Sequence, residues 1–183
     1  MGKVIVSQFI SLDGFSNGPG GELVPPAPTP DLFRTFIDVN MARSGIFIYG
    51  RVTYEGMVGY WTSSDANPEQ AKLLAERRKV VFSKTLQKAD WGRATIARGD
   101  DLAADVAAMR RETDGDLTIL GSPTLVNAFL RAGLVDAFHL LINPVLLGGG
   151  TRLFQGGYDR TKWKLTSAQP FDGGPVVLNY ERS

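Results

Sequence analysis

Ile46-Phe47-Ile48-Tyr49-Gly50-Arg51-Val52-Thr53-Tyr54-Glu55 is the stretch on which the fold turns. Its apolar run, bounded by Gly45 and Gly50, reads as a short buried strand, and the residues after Gly50 read as a strand-to-helix junction. The glycine spacing is that of a phosphate loop, but Arg51 and Val52 stand where a lysine and a hydroxyl residue are required. The residues between the glycines also favour a strand over a loop, so a kinase or NTPase site is excluded.

Two more junctions of the same kind lie downstream. Residues 79–83 form a strand that runs into Ser83-Lys84-Thr85, and residues 117–120 form one that runs into Gly121-Ser122-Pro123-Thr124 and a helix over 125–131 ended by Gly133. Asn67-Pro68-Glu69-Gln70 opens a helix that extends through residue 78. A weaker strand at 95–97 precedes a helix carrying Leu102, Val106 and Met109, which stops near Gly115. Upstream, residues 3–10 make a first strand ending at Asp13-Gly14. Thr29-Pro30-Asp31 is a helix start, and Leu32, Phe33, Phe36, Ile37 and Met41 come after it at helical spacing. Strands and helices therefore alternate, which predicts an α/β fold with a mainly parallel sheet and helices on both faces. Beyond residue 135 the pattern changes. Residues 135–147 are strand-like, and 165–171 pairs with 176–181 across Asp172-Gly173-Gly174, giving an antiparallel C-terminal edge.

The chain has 183 residues with 43% hydrophobic composition, enough for one domain over residues 1–183. Lysine and arginine number 20 against 19 acids, which argues against a nucleic-acid or anionic-membrane partner. Cysteine is absent, so disulfides and thiolate chemistry are excluded. Neither an apolar leader nor a span of about 20 apolar residues is present, and a cytoplasmic location is expected. The single histidine, His139, lies in an apolar strand and reads as structural; no metal site is expected. The glycine- and proline-rich stretch from 16 to 30, directly after a strand, reads as a functional loop. Neither Gly18–Gly21 nor Gly148–Gly150 completes a Rossmann dinucleotide pattern.

In an open α/β sheet ligands gather at the carboxyl ends of strands, so the three junctions predict one crevice. Helix N-termini with glycine beside them suit an anion, and Arg51 and Lys84 add full charges. These junctions resemble the dihydrofolate reductases: Ile48-Tyr49-Gly50-Arg51-Val52-Thr53 is similar to their strand ending in Gly-Arg-x-Thr, Val80-Val81-Phe82-Ser83-Lys84 to the next strand, and Ile119-Leu120-Gly121-Ser122 to their Ile-Gly-Gly segment. The resemblance is closer to the reductase domain of bacterial riboflavin biosynthesis and its stand-alone relatives. It rests on Ser11-Leu12-Asp13-Gly14-Phe15 at the start, and on Ala132-Gly133-Leu134-Val135-Asp136, Asn143-Pro144-Val145-Leu146-Leu147-Gly148-Gly149-Gly150 and Arg152-Leu153-Phe154 near the end.

The resemblance implies a dihydrofolate-reductase-like three-layer sandwich that binds NADPH. Arg51 and Thr53 with Ser83 and Lys84 would hold the 2′-phosphate and neighbouring phosphates, Gly50 and Val52 belonging to the same junction. Gly121, Ser122, Thr124 and Leu125 would place the pyrophosphate on a helix N-terminus, and Ile10 would border the nicotinamide. Asp31 is the candidate catalytic acid, with a plain helix-dipole role as the other reading. Tyr54, Tyr60 and Trp61 read either as core or as a platform for a planar ring. The implied reaction is hydride transfer to a pyrimidine- or pteridine-type heterocycle, as in 5-amino-6-(5-phosphoribosylamino)uracil reductase, by a homodimer. The alternatives are dihydrofolate reductase proper, a non-catalytic NADP-binding module, and a cofactor-free scaffold. Two departures stand out: Asp136-Ala137 replaces a common Asp-Glu, and Gly121-Ser122 replaces a Gly-Gly joined by a cis bond.

Overall fold

The computed structural model describes residues 2–22 and 30–183, the side chains of residues 30, 31, 33–35 and 37 excepted. The first strand, β1 (Val4–Ser11), is succeeded by a short β2 (Phe15–Asn17) and by helix α1 (Pro30–Arg43). Then come β3 (Ser44–Gly50), α2 (Arg51–Trp61), α3 (Pro68–Glu76), β4 (Arg78–Phe82), β5 (Arg93–Ala97), α4 (Leu102–Glu112), β6 (Asp116–Ile119) and α5 (Pro123–Arg131). The chain closes with β7 (Ala137–Asn143), β8 (Thr151–Arg152), β9 (Trp163–Pro170) and β10 (Val176–Arg182).

Eight strands form one sheet in the order β5-β4-β3-β6-β1-β7-β10-β9. From β5 to β7 all neighbours are parallel, while β10 runs antiparallel to both β7 and β9. Strand alternation divides β3 between two faces. Ile46 and Ile48 enter a core with Val106 and Met109 of α4 and Val126 and Phe129 of α5. Phe47 and Tyr49 enter another with Tyr54 and Trp61 of α2 and Leu74 of α3. On that second face Leu32 and Phe36 of α1 pack on Leu141 and Val177. The three layers are therefore helices, sheet and helices, as the alternation of elements predicts.

Several details differ from the sequence reading. Helix α3 stops at Glu76 instead of reaching residue 78. The cause lies in the next strand: the ammonium of buried Lys79 donates to the carbonyls of Ala75 (3.1 Å) and Arg77 (2.8 Å), and sits 4.4 Å from the Trp91 ring centroid. It closes the helix from outside, as a cation does at a C-terminus. The strand-like run 135–147 contributes β7 only as far as Asn143, before Pro144, which has no N–H to continue a ladder. The start of the glycine-rich stretch forms β2, paired with β8 in a separate two-stranded sheet. Residues 23–29 of that stretch lie outside the described residues.

The lengths of the central strands create an opening. β1 pairs with β7 from Ile5 to Ser11, yet pairs with β6 only at Val4, Ile5 and Val6. Beyond Val6 the β6-facing edge of β1 has no strand beside it, and this gap lies at the carboxyl ends of β3, β6 and β1.

Candidate cofactor and active site

The strand ends that border the gap are brought together by direct contact. The Gly50 N–H donates to the Gly121 carbonyl at 2.9 Å, tying the start of α2 to the start of α5. β4 is the other neighbour of β3, and Gly50 is level with Phe82, so Ser83 comes next at the same rim. The peptide bond Gly121-Ser122 is cis, although serine stands in the second position.

Glycine is required at both junctions by space. A Cβ on Gly50 would lie 2.6 Å from Ser122 Oγ. One on Gly121, whose φ is +117°, would lie 2.9 Å from Thr53 Oγ1 and 3.4 Å from Gln8 Nε2. Thr53, Ser122 and Gln8 thus crowd around two glycines, and none of the three makes a side-chain hydrogen bond among the described residues. Gly50 and Ser122 are the N-caps of α2 and α5; neither helix start has a side-chain cap, and neither has an acid in its first turn. Two sets of unpaired backbone N–H groups therefore face a space flanked by hydroxyl and amide groups, the arrangement that suits phosphate oxygens.

The remaining predicted residues divide by position. Arg51 and Lys84 reach the rim, each already holding a carboxylate: Arg51 Nη1 is 2.8 Å from Glu55 Oε2, and Lys84 Nζ is 3.0 Å from Asp100 Oδ1. Val52 and Thr124 are exposed on the first turns of α2 and α5. Ser83 is buried, and its hydroxyl accepts from the N–H groups of Thr85 (3.2 Å) and Leu86 (2.9 Å), so it shapes the turn after β4. The side chains of Ile10 and Leu125 belong to the core, leaving their backbone to face the gap. Asp31 lies in the first turn of α1; its side chain is outside the described residues. Tyr54 and Trp61 are core, Tyr54 Oη accepting from the Trp91 N–H at 3.0 Å, whereas Tyr60 is exposed. His139 is also structural. It stacks on Phe36 with centroids 4.4 Å apart, and burial together with the charge of Arg43 pushes its pKa down to about 4.

Three further features escape a local reading of the chain. Gln8 looks from sequence like any strand residue, and only the early end of β6 exposes it to the gap. Arg98, just past β5, donates to the carbonyls of Ser83 (2.9 Å) and Leu86 (3.0 Å) and adds a cation beside Lys84. The third is a clamp. Asp13 accepts from Ser11 Oγ (2.6 Å), Leu147 N–H (3.2 Å) and Gly148 N–H (2.9 Å). These bonds, the Ser11 hydroxyl first, hold its carboxyl down to about 2. The two glycine-bearing motifs near the chain's ends therefore bind each other at the mouth of the gap.

Among the described residues no group of histidine, cysteine or carboxylate side chains could hold a metal ion, and no helix is long and apolar enough to cross a membrane. Comparison with known proteins agrees with the architecture. A putative riboflavin biosynthesis protein from Shewanella sp. PV-4 superposes with a TM-score of 0.79 at 22% identity, covering 99% of both chains. Dihydrofolate reductase from Enterococcus faecalis, solved with NADP(H) and RAB-propyl, superposes with a TM-score of 0.68 at 16% identity over 99% of this chain and 96% of its own. At these identities the likeness speaks for the fold, which is that of dihydrofolate reductase. In sequence, the uncharacterized protein YyaP of Bacillus subtilis (strain 168) is 28% identical over 183 residues, covering 97% of this chain and 94% of YyaP. The model of the RibD C-terminal domain matches residues 2–177, the span that holds the whole parallel sheet, the paired glycine junctions and both halves of the Asp13 clamp. The chain belongs to the RibD C-terminal domain family.

Proposed function

We propose that the protein is an NADPH-dependent reductase that delivers hydride to a pyrimidine- or pteridine-type heterocycle, of the kind represented by 5-amino-6-(5-phosphoribosylamino)uracil. The observation that carries the reading is the pair of uncapped helix starts, joined by the Gly50–Gly121 hydrogen bond and surrounded by Thr53, Ser122 and Gln8, whose side chains have no hydrogen-bond partner among the described residues. Such a cradle accepts two adjacent phosphoryl groups without a metal. In this reading Gly121, Ser122, Thr124 and Leu125 hold the pyrophosphate. Arg51 and Thr53, with Ser83 and Lys84, take the adenosine 2′-phosphate and neighbouring phosphates, Gly50 and Val52 belonging to the same junction. The chemistry supplied by the nucleotide is hydride from its nicotinamide ring. The chain's part is to seat that ring at the open edge of β1 near Ile10, to keep water from it, and to provide a proton, for which Asp31 is the candidate. A small heterocyclic substrate, a homodimeric assembly and a cytoplasmic location complete the proposal.

The test is direct. Titration with NADPH and NADH, monitored by the fluorescence of Trp61 and Trp91 on the α2 side of the sheet, reports binding. NADPH oxidation with candidate pyrimidines and pteridines reports turnover. The reading predicts tighter binding of NADPH than NADH, and loss of that preference in Arg51→Ala. Equal weakening of both nucleotides would remove Arg51 from the 2′-phosphate, and tight binding without turnover on any such substrate would leave a cofactor-holding module in place of an enzyme. Asp31→Asn is expected to lower kcat with little change in nucleotide affinity.

A further inference from the structure

We infer that Glu55 and Asp100 set how strongly this site prefers NADPH to NADH, because each holds one of the cations that a 2′-phosphate would need. The inference rests on the cofactor reading above and adds to it a pair of acidic residues that oppose the phosphate. Arg51 and Glu55 are one turn apart on α2 and meet at 2.8 Å, with their side chains 44% and 47% exposed. Lys84 and Asp100 come from the loops after β4 and β5 and meet at 3.0 Å, 74% and 75% exposed. Both cations proposed for the phosphate thus carry a carboxylate. Arg98, the third cation of this rim, is held differently: its guanidinium donates to two neutral carbonyls, and no carboxylate pairs with it among the described residues.

The two carboxylates act with opposite sign on the two nucleotides. A ribose 2′-phosphate that reaches Arg51 and Lys84 shares each cation with a carboxylate already held there, so Glu55 and Asp100 divide the positive charge and stand beside the phosphate as like charges. A ribose 2′-hydroxyl makes no such demand: the ion pairs persist, and a carboxylate at this place accepts a hydrogen bond from the hydroxyl. Exposed pairs of this kind are individually weak, so the sharing takes place within ordinary binding energies. Selectivity at the rim is therefore set by the balance of two cations against two acids, with Arg98 added. A cluster of bare cations would give a steeper preference.

The experiment measures dissociation constants of NADPH and NADH by calorimetry at low salt for the unaltered chain, Glu55→Gln, Asp100→Asn and the double variant. Each single change is expected to tighten NADPH roughly threefold, and both together roughly tenfold, with NADH unchanged or slightly weakened. In an Arg51→Ala background the effect of Glu55→Gln should shrink, because only the like-charge repulsion then remains to be relieved. Both acids are exposed, and either single variant suffices if the double variant does not fold. A parent chain that prefers NADPH while the amide variants leave the NADPH-to-NADH ratio unmoved would overturn this inference and spare the cofactor reading. A parent chain that binds neither nucleotide would overturn the reading itself.

Discussion

Four helices in this molecule begin beside the rim or on the outer half of the sheet, and they begin in two ways. α3 and α4 are closed by their own side chains: Asn67 accepts from the Gln70 N–H and Asp101 from the Ala104 N–H, each with an acid in the first turn. α2 and α5 start at Gly50 and Ser122 with neither device. A capping side chain satisfies donors that would otherwise stay open, and its removal costs about 1 kcal/mol. Where the fold needs only a helix it uses that stabilisation; at the two starts that share the Gly50–Gly121 hydrogen bond it leaves the donors open. The difference separates polar groups engaged by the fold from polar groups left open, to which the proposed function assigns an anion.

The comparison can be broken at its strongest point first. His139 belongs to the engaged set, buried beneath α1 with its pKa pushed down to about 4 by desolvation and by Arg43. The unfolded chain takes up a proton near the ordinary value of about 6.5, before the folded chain does, so stability is full above that pH and declines as the pH falls toward 4. The expected loss approaches about 3 kcal/mol across that window, and chemical denaturation at a series of pH values should show it. His139→Gln, with nothing to titrate, should flatten the profile. A native chain with no such acid slope would take His139 out of the engaged set.

Gly121→Ala comes next. The added methyl meets Thr53 and is forced to φ +117°, so we expect about 2 kcal/mol of destabilisation by thermal melting and more than tenfold weaker nucleotide binding. Asn67→Ala and Asp101→Ala should each cost about 1 kcal/mol and leave nucleotide affinity unchanged. The smallest effect on stability belongs to Ser122→Ala, less than about 0.5 kcal/mol, because its hydroxyl has no partner to lose among the described residues. Nucleotide affinity should nonetheless fall severalfold. If Ser122→Ala instead destabilised as Asn67→Ala does, the two kinds of helix start would be one.

Most of the parallel sheet was legible because its information is local. Gly50-Arg51 and Gly121-Ser122 punctuate apolar runs, and Asn67-Pro68 announces α3 three residues before its cap is satisfied. What escaped was set by partners distant in the chain. The end of α3 depends on Lys79 folding back from β4, and β2 and β8 are three and two residues long, too short for any periodicity to declare them. Gln8 gains its position only because β6 stops short, and Arg98 acquires its role from carbonyls on the neighbouring loop. Tyr54 and Trp61 read equally well as platform or core, and the packing of α2 on Phe47 and Tyr49 made them core. Asp13 could be singled out in its motif, but its partners at Leu147 and Gly148 lie more than 130 residues away.

The place of β1 in the sheet bears on how the chain is born. Val4, Ile5 and Val6 find their β6 partners only at Leu117, Thr118 and Ile119, and their other neighbour is β7. At ribosomal rates of about 5–20 residues per second, β1 waits on the order of ten seconds for its first strand partner in the parallel sheet. Over that interval the elements translated soon after β1, namely β2 and α1, are what can cover it: β2 lies against β1, and Phe36 of α1 meets Phe9. Gly121 and Ser122, the second of the two paired glycine junctions, are likewise still untranslated at this stage.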